Sequence, residues 1–331
     1  MEEITDHKDR ADRTDPDSAQ TVRGNAGGAK TRDGQIIKAI VMDMDGTLLD
    51  ENNKIRPAVR DILIALEEHG VRLVLASGRS YTRLLGYARE LKMDEHEGML
   101  IEIDGVALYD LGANKRTKFR MMGPDEIHNV YNWLIAHNAE AQAMFDDGLF
   151  YAFDSEILEI KKKLRRELNL PEDFPWTAGP WNWLTDFRDG YPKMKYVQSA
   201  DEINRPINKI QIMQDEEPLE QVYQGLQKAY GNDFAIYRTT PRQLEILPAG
   251  FSKGEALRRM MEQEGWKKDE VLVFGDGEND VSMFGVVRDS YAMGNAKDFV
   301  KAQAAHTAPS NREEGIACAL RELFGPLKRN R

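Results

Sequence analysis

Apolar and polar positions along this chain fall into two rhythms. Ile36 to Met42 (IIKAIVM) is an almost continuous β-rich run that ends in charged residues, which is how a strand buried on both faces reads. Pro57 to His69 changes to helical spacing, with Val59, Ile62, Leu63 and Leu66 on one stripe, Pro57 suited to a first turn and Gly70 to a stop. Val71 to Leu75 predicts a second buried strand, Tyr81 to Leu91 a helix, and Met99 to Ile103 a third strand before a turn at Asp104-Gly105. Strands alternating with helices imply parallel pairing in an α/β sheet.

The rhythm breaks after about residue 118. Helices are predicted over Asp125 to His137, Glu156 to Leu168 and Glu217 to Tyr230. A hairpin turns at Asp147-Gly148 within Ala143 to Phe153, and strands fall at Lys209 to Met213, Phe234 to Arg238 and Leu244 to Leu247. The first rhythm then resumes, with a helix over Ser252 to Glu264, a buried strand at Val271 to Phe274, and helices over Asp280 to Val287, Asn295 to Ala304 and Gly315 to Phe324. The expected architecture is a Rossmann-like parallel-sheet core, residues 36–117 and 248–331, carrying an inserted α+β cap, residues 118–247. Residues 1–35 hold only Ile4 and Val22 among Leu, Ile, Val and Phe, too little apolar surface to offset ordering, and read as a disordered tail.

Composition narrows the function. The 331 residues are 41% hydrophobic and 31% charged, and 45 Lys plus Arg against 56 Asp plus Glu give a net charge of -11. That balance argues against a general nucleic-acid binder. No run approaches the ~20 apolar residues of a membrane span, and the tail lacks the apolar stretch of a secretory signal. One cysteine, Cys318, excludes disulfide frameworks and Cys-based zinc sites; it lies on an apolar helix stripe and reads as a small core residue. A cytoplasmic protein is expected. Gly24 to Thr31 (GNAGGAKT) imitates a phosphate loop, but Ala29 stands where glycine is needed and no strand precedes it.

In open α/β sheets, ligands bind beyond the carboxyl ends of the strands. There this chain places Asp43-Met44-Asp45-Gly46-Thr47, Ser77-Gly78-Arg79, and Gly275-Asp276-Gly277-Glu278-Asn279-Asp280, with Lys253 opening a helix. Carboxylates spaced i, i+2 leave a strand on one side. Asp43 can attack phosphorus and Asp45 can protonate the leaving oxygen and then deprotonate water. Asp276 with Asp43 offers hard oxygens to Mg²⁺. Lys253, Ser77 and Thr47 can hold phosphoryl oxygens as charge shifts. Gly46 allows a tight turn. Each signal alone is weak; four in order at strand ends are not.

Taken together, these stretches resemble the haloacid dehalogenase superfamily and, within it, the Cof-type phosphatases with a C2B-type α+β cap. The resemblance covers about residues 36–325, with Ala292-Met293-Gly294-Asn295-Ala296 also matching. It implies Asp43 as nucleophile and Asp45 as acid/base. It implies Mg²⁺ held by Asp43, the Asp45 carbonyl and Asp276, with Asp280 shaping that metal site beside Asn279. Thr47, Ser77, Gly78, Arg79, Lys253 and Asn279 would meet the phosphoryl group or substrate. The implied activity is hydrolysis of a small phosphorylated metabolite, a sugar phosphate foremost, through an aspartyl-phosphate. A sugar phosphomutase with the same chemistry is the main rival, and a silent binding protein a further one. Where the branch carries Asn-Gly after the third strand, this chain has Asp104-Gly105, which adds charge if it faces substrate and little if it only turns. Trp176, Trp181 and Trp183 fall in a cap segment that departs from the family pattern and reads as cap core. The basic run Lys161-Lys162-Lys163 with Arg165 and Arg166 reads as a solvated helix face.

Overall fold

The structure is a computed structural model and describes residues 27–153, 155–175, 188 and 190–327. A short hairpin, β1 (Ala29–Lys30) and β2 (Ile36–Ile37), leads into β3 (Ala39–Asp43), α1 (Pro57–Glu68), β4 (Arg72–Ala76), α2 (Leu85–Glu90) and β5 (Met99–Glu102). The chain turns back through β6 (Ala107–Asp110) and β7 (Lys115–Lys118). It then builds α3 (Pro124–Ala136), β8 (Glu140–Phe145), β9 (Gly148–Ala152), α4 (Ser155–Glu167) and β10 (Lys193–Tyr196). Next come β11 (Lys209–Met213), α5 (Glu216–Tyr230), β12 (Phe234–Thr240) and β13 (Gln243–Pro248). It closes with α6 (Lys253–Glu264), β14 (Val271–Gly275), α7 (Val281–Phe284), β15 (Asp289–Ala292), α8 (Asp298–Lys301), β16 (His306–Thr307) and α9 (Gly315–Phe324).

Two sheets organise these elements. The first has the order β16-β15-β14-β3-β4-β5-β6-β7, parallel from β16 to β5 and antiparallel through the β6–β7 hairpin. The second, β10-β9-β8-β11-β13-β12, is antiparallel except at β9–β10, and all its strands fall between residues 140 and 248. The fold is therefore mixed α/β around a sheet with a parallel core, as the alternation of patterns implies.

The unbroken apolar run of β3 follows from burial on both sides. Ile40 and Met42 join a cluster that includes Leu63 and Leu66 of α1 and Leu320 of α9. Ala39 and Val41 point the other way, into a cluster with Leu257 and Met260 of α6 and Met283 of α7. Leu73 and Leu75 against Val74 and Ala76 repeat the division in β4. With helices on both faces, only the strand ends are open to a ligand.

Several local expectations are corrected. Residues 27–35, expected to be disordered, are held in place: Ala29 and Thr31 are buried, Gly28 N–H donates to Gly70 O at 3.2 Å, and Arg32 N–H donates to Leu323 O at 2.8 Å. Those backbone bonds supply what the segment lacks in apolar side chains; residues 1–26 lie outside the described residues. The run from Ile36 breaks at Lys38 into two strands. The helices expected at 280–287 and 295–304 shrink to one turn each, and the β6–β7 hairpin is an addition to the expected elements. Cys318 is exposed, because its neighbours Ala317 and Ala319, not it, face the core. Lys161 leaves the solvated face altogether: it is fully buried with its ammonium 3.0 Å from the equally buried Glu140 carboxylate, while Lys163 stays exposed. Trp176, Trp181 and Trp183 lie outside the described residues.

Candidate active site

Four loops at the carboxyl ends of β3, β4 and β14 and the start of α6 meet in a cleft of about 440 Å³, roofed by the second sheet. Asp43, Asp45, Ser77, Gly78, Arg79, Lys253, Asp276, Asn279 and Asp280 all line it. Parallel strands bring them together: Asp43 ends β3 beside Ala76 of β4, and Phe274 of β14 pairs with Met42.

Lys253 is the organising charge. Its Nζ donates to Asp43 Oδ1 at 2.6 Å and to Asp280 Oδ1 at 2.7 Å, with almost no exposure. Burial alone would lower its pKa, but the Asp280 and Asp43 carboxylates outweigh that and hold it well above the usual lysine range. Ser252 fixes the lysine's backbone by capping α6, its Oγ accepting from Glu255 N–H at 3.1 Å. Asp43 is pushed the other way: burial and the facing Asp280 raise its pKa, against the pull of Lys253. Burial and Asp280 likewise push Asp276 up to about 7.

Carboxylate oxygens of Asp43, Asp276 and Asp280 lie within 4.8 Å of one another. Three hard oxygens, two of them on carboxyls whose pKa values are raised by burial and mutual repulsion, form a donor set that a divalent cation would relieve. They are not equivalent. Asp280 is committed within the protein: Oδ1 takes Lys253, and Oδ2 accepts the backbone N–H groups of Asp276 at 3.0 Å and Gly277 at 2.9 Å. Asp43 and Asp276 would be the principal ligands of such a cation, with Asp276 also accepting from the Thr47 hydroxyl at 2.8 Å and from Asn295 Nδ2 at 3.3 Å. Gly46 brings its backbone against Asp276 with φ +85, where any Cβ would collide with that carboxylate.

Two expected phosphoryl contacts sit differently. Thr47 is buried and does not line the cleft; its hydroxyl donates to Asp276 Oδ1 at 2.8 Å and so aims that carboxylate. Arg79 turns to Asp45, with Nε donating to Oδ2 at 3.0 Å and a second contact between Nη2 and Oδ1. Ser77 is buried beneath the cleft with its Oγ accepting from Arg79 N–H at 3.2 Å. Asp104 makes the turn and carries a buried charge, but it does not line the cleft. Its backbone turns at φ 49, and its buried side chain accepts from Asn279 Nδ2 at 2.9 Å and lies 4.0 Å from Lys253 and 3.8 Å from Lys209. Burial opposes ionisation there, but Lys209 and Lys253 outweigh it and hold the carboxyl below its usual range.

Sequence reasoning missed the roof. Lys209, Gln211, Gln243 and Glu245 of the second sheet and Tyr191 line the cleft, with Arg83 below. A signal existed in the alternation of Lys209-Ile210-Gln211-Ile212 and Gln243-Leu244-Glu245-Ile246, yet alternation does not distinguish a face turned to water from one turned to a ligand.

A parallel sheet that delivers an aspartate pair, a carboxylate loop and a buried lysine to one cleft defines the class: a hydrolase built on an α/β sheet. The chain belongs to the haloacid dehalogenase-like hydrolase family, whose sequence model matches residues 40–320. It is 26% identical over 285 residues to the 5-amino-6-(5-phospho-D-ribitylamino)uracil phosphatase YcsE of Bacillus subtilis, covering 86% of this chain and 95% of that one. It is 25% identical over 283 residues to the pyridoxal phosphate phosphatase YbhA of Escherichia coli, covering 85% and 96%. Among solved structures, a haloacid dehalogenase-like hydrolase from Bacteroides thetaiotaomicron aligns with a TM-score of 0.67 and 26% identity over 86% of this chain and 98% of that one. No helix among the described residues is long and apolar enough to cross a membrane.

Proposed function

We propose that this hydrolase cleaves a small, hydroxyl-bearing phosphomonoester, such as a sugar or polyol phosphate, with Asp43 as nucleophile. The observation that carries this is the buried Lys253 bridge between Asp43 and Asp280 at the end of β3. It holds one Asp43 oxygen and leaves the other to face the cleft. In this reading an Asp43 oxygen attacks phosphorus as the bond to the leaving oxygen breaks, and Asp45 gives that oxygen its proton. Asp45 then takes a proton from the water that opens the aspartyl-phosphate. Arg79 steadies Asp45 in position for both transfers. Lys253 and Ser77 stabilise negative charge on the phosphoryl oxygens. Asp43 and Asp276 would hold Mg²⁺, which when bound offsets the repulsion between carboxylate and phosphate. The sheet of residues 140–248 acts as a cap that roofs the leaving group.

The test is phosphate release from p-nitrophenyl phosphate and a panel of phosphorylated sugars and polyols, with Mg²⁺ and with a chelator. Asp43→Asn is expected to reduce turnover by at least about a thousandfold. Turnover that persists in this variant rules out Asp43 as the nucleophile.

A further inference from the structure

The floor of the cleft is built from separate segments, and one residue outside the cleft meets three of them. Asp104 turns the chain after β5 and is only 1% exposed. Its backbone N–H donates to Ser77 O at 3.0 Å. Its Oδ1 accepts from Asn279 Nδ2 at 2.9 Å and lies 4.0 Å from Lys253 Nζ. The other oxygen serves the cap. Oδ2 lies 3.8 Å from Lys209 Nζ, and the Asp104 carboxylate is hydrogen-bonded to the Glu245 carboxyl. Glu245 in turn anchors Lys209 at 2.7 Å. These groups converge around Gly78, where a Cβ would stand 2.7 Å from Asp104 Oδ2, 2.9 Å from Lys209 Nζ and 3.0 Å from Glu245 Oε2. Burial pushes the Glu245 carboxyl up to about 8, with Lys209 pulling it down and Asp104 adding to the rise, so at neutral pH Glu245 is the donor and Asp104 the ionised acceptor.

A buried carboxylate is costly unless it is paired. Among the described residues, two cations lie within 4.0 Å of the Asp104 carboxylate: Lys209 of the cap and Lys253 of the floor. Lys253 is already committed to Asp43 at 2.6 Å and Asp280 at 2.7 Å. With the cap seated, Lys209 shares the pairing of Asp104 and Lys253 keeps its bridge. With the cap lifted, Lys253 is the cation left to answer Asp104, and it can do so only by slackening its hold on Asp43 or Asp280. An asparagine at 104 would present no such charge to either lysine.

We propose that Asp104 is a positioning residue that couples the cap to the floor of the cleft: Asn279 and Lys253 take their working places only while Lys209 and Glu245 are seated on Asp104. The inference rests on the phosphatase reading above and deepens it, by naming the residue through which cap placement governs that site. A displacement of about 1 Å at a reacting group can cost on the order of a hundredfold in rate, so a small shift of Lys253 suffices.

The experiment is a double-variant cycle on the full chain, with kcat and KM for p-nitrophenyl phosphate read at saturating Mg²⁺, well below the unfolding midpoint of every variant. Asp104→Asn keeps the size of the side chain and tolerates the left-handed turn. It is expected to lower kcat about tenfold with KM nearly unchanged. Lys209→Met is expected to lower kcat to a similar extent from the cap side. Coupling requires that the double variant be no more than about twofold worse than the poorer single. Losses that multiply, to about a hundredfold, overturn the proposal, because the two residues then act separately. So does Asp104→Asn with native kcat, or with KM alone raised. Where either variant fails to fold, Glu245→Leu decides, since it cuts the grip of the cap on Asp104. Inhibition by inorganic phosphate, which carries no leaving group, should then weaken several-fold. If Glu245 merely faced the bound anion, its removal would leave that inhibition unchanged or strengthen it, and either result overturns the proposal. A native protein that releases no phosphate from p-nitrophenyl phosphate or from the panel of phosphorylated sugars and polyols overturns the phosphatase reading as well, whereas a multiplicative cycle leaves that reading standing.

Discussion

Arg116 on β7 ties the two sheets together, and removing it has a calculable consequence. Its guanidinium donates to both oxygens of Glu102 at 2.8 and 2.7 Å and to both oxygens of Asp146 at 2.7 and 3.0 Å. Glu102 belongs to the first sheet and is fully buried, whereas Asp146 is the turn of the β8–β9 hairpin in the second. Asp146 is further held by Lys118 at 2.9 Å and Asn208 at 2.9 Å, and its carbonyl accepts from Ser80 and Thr82. In Arg116→Met, Asp146 keeps two partners, but Glu102 keeps only the Tyr81 N–H at 2.8 Å. Removing one side of a buried pair costs ~3–5 kcal/mol. Arg116 and Asp146 retain some water, with side chains 17% and 24% exposed, so the lower end, ~3 kcal/mol, applies. At ~2–4 °C per kcal/mol that is a fall in Tm of ~6–12 °C. Urea and thermal unfolding at pH 7 measure it. Adding Glu102→Gln removes the stranded charge and should restore at least half of the loss. A single-variant loss under ~1 kcal/mol, or a double variant no more stable than the single, refutes the reasoning. The pH dependence has a defined sign. Burial would raise the Asp146 pKa, but Arg116, Lys118 and Asn208 outweigh it and hold it below the ordinary carboxylate range. Its contribution is therefore present above about pH 4 and lost as the pH falls from there. In Arg116→Met this acid-dependent loss should be smaller.

Other outcomes follow from the same geometry. Cys318 is exposed and is the sole cysteine, so one equivalent of an aromatic disulfide reagent should react under native conditions; a reaction that waits for denaturant contradicts the surface placement. Gly46→Ala forces a Cβ onto the Asp276 carboxylate at φ +85 and should reduce turnover more than a hundredfold while Tm falls by only a few degrees; full activity would show that this backbone approach is dispensable. Asp276, with its pKa pushed up to about 7, must lose its proton to bind a cation, so Mg²⁺ affinity measured by calorimetry should rise between pH 6 and 8 with proton release, and a flat affinity would exclude Asp276 as a ligand.

Much of the cleft's floor could be read from the sequence because it is local. Asp43, Asp45, Ser77 and Asp276 sit at or just after strand ends that apolar runs announce, and parallel pairing then makes their convergence nearly automatic. Local pattern also announced β11 and β13. It did not show that Lys209 and Glu245 would turn inward, because period-2 alternation fixes which residues share a face and says nothing about what that face meets.

Partner choice was likewise beyond the sequence. Arg79 looked like a phosphoryl ligand and lies on Asp45; Thr47 looked like another and aims Asp276; Asp280 commits both oxygens to Lys253 and the loop backbone. Lys161 and Cys318 exchanged their expected environments, since one residue step on a helix turns a side chain by about 100° between core and water. The amino-acid sequence by itself determined the α/β order, the two-sided burial of the central strands and the residues at their ends, because those depend on short-range periodicity and turn chemistry. Only the tertiary structure decided which charges pair, which carboxylates remain open and what the cap presents to the cleft, because these depend on contacts between residues as far apart as Gly78, Asp104, Lys209 and Glu245.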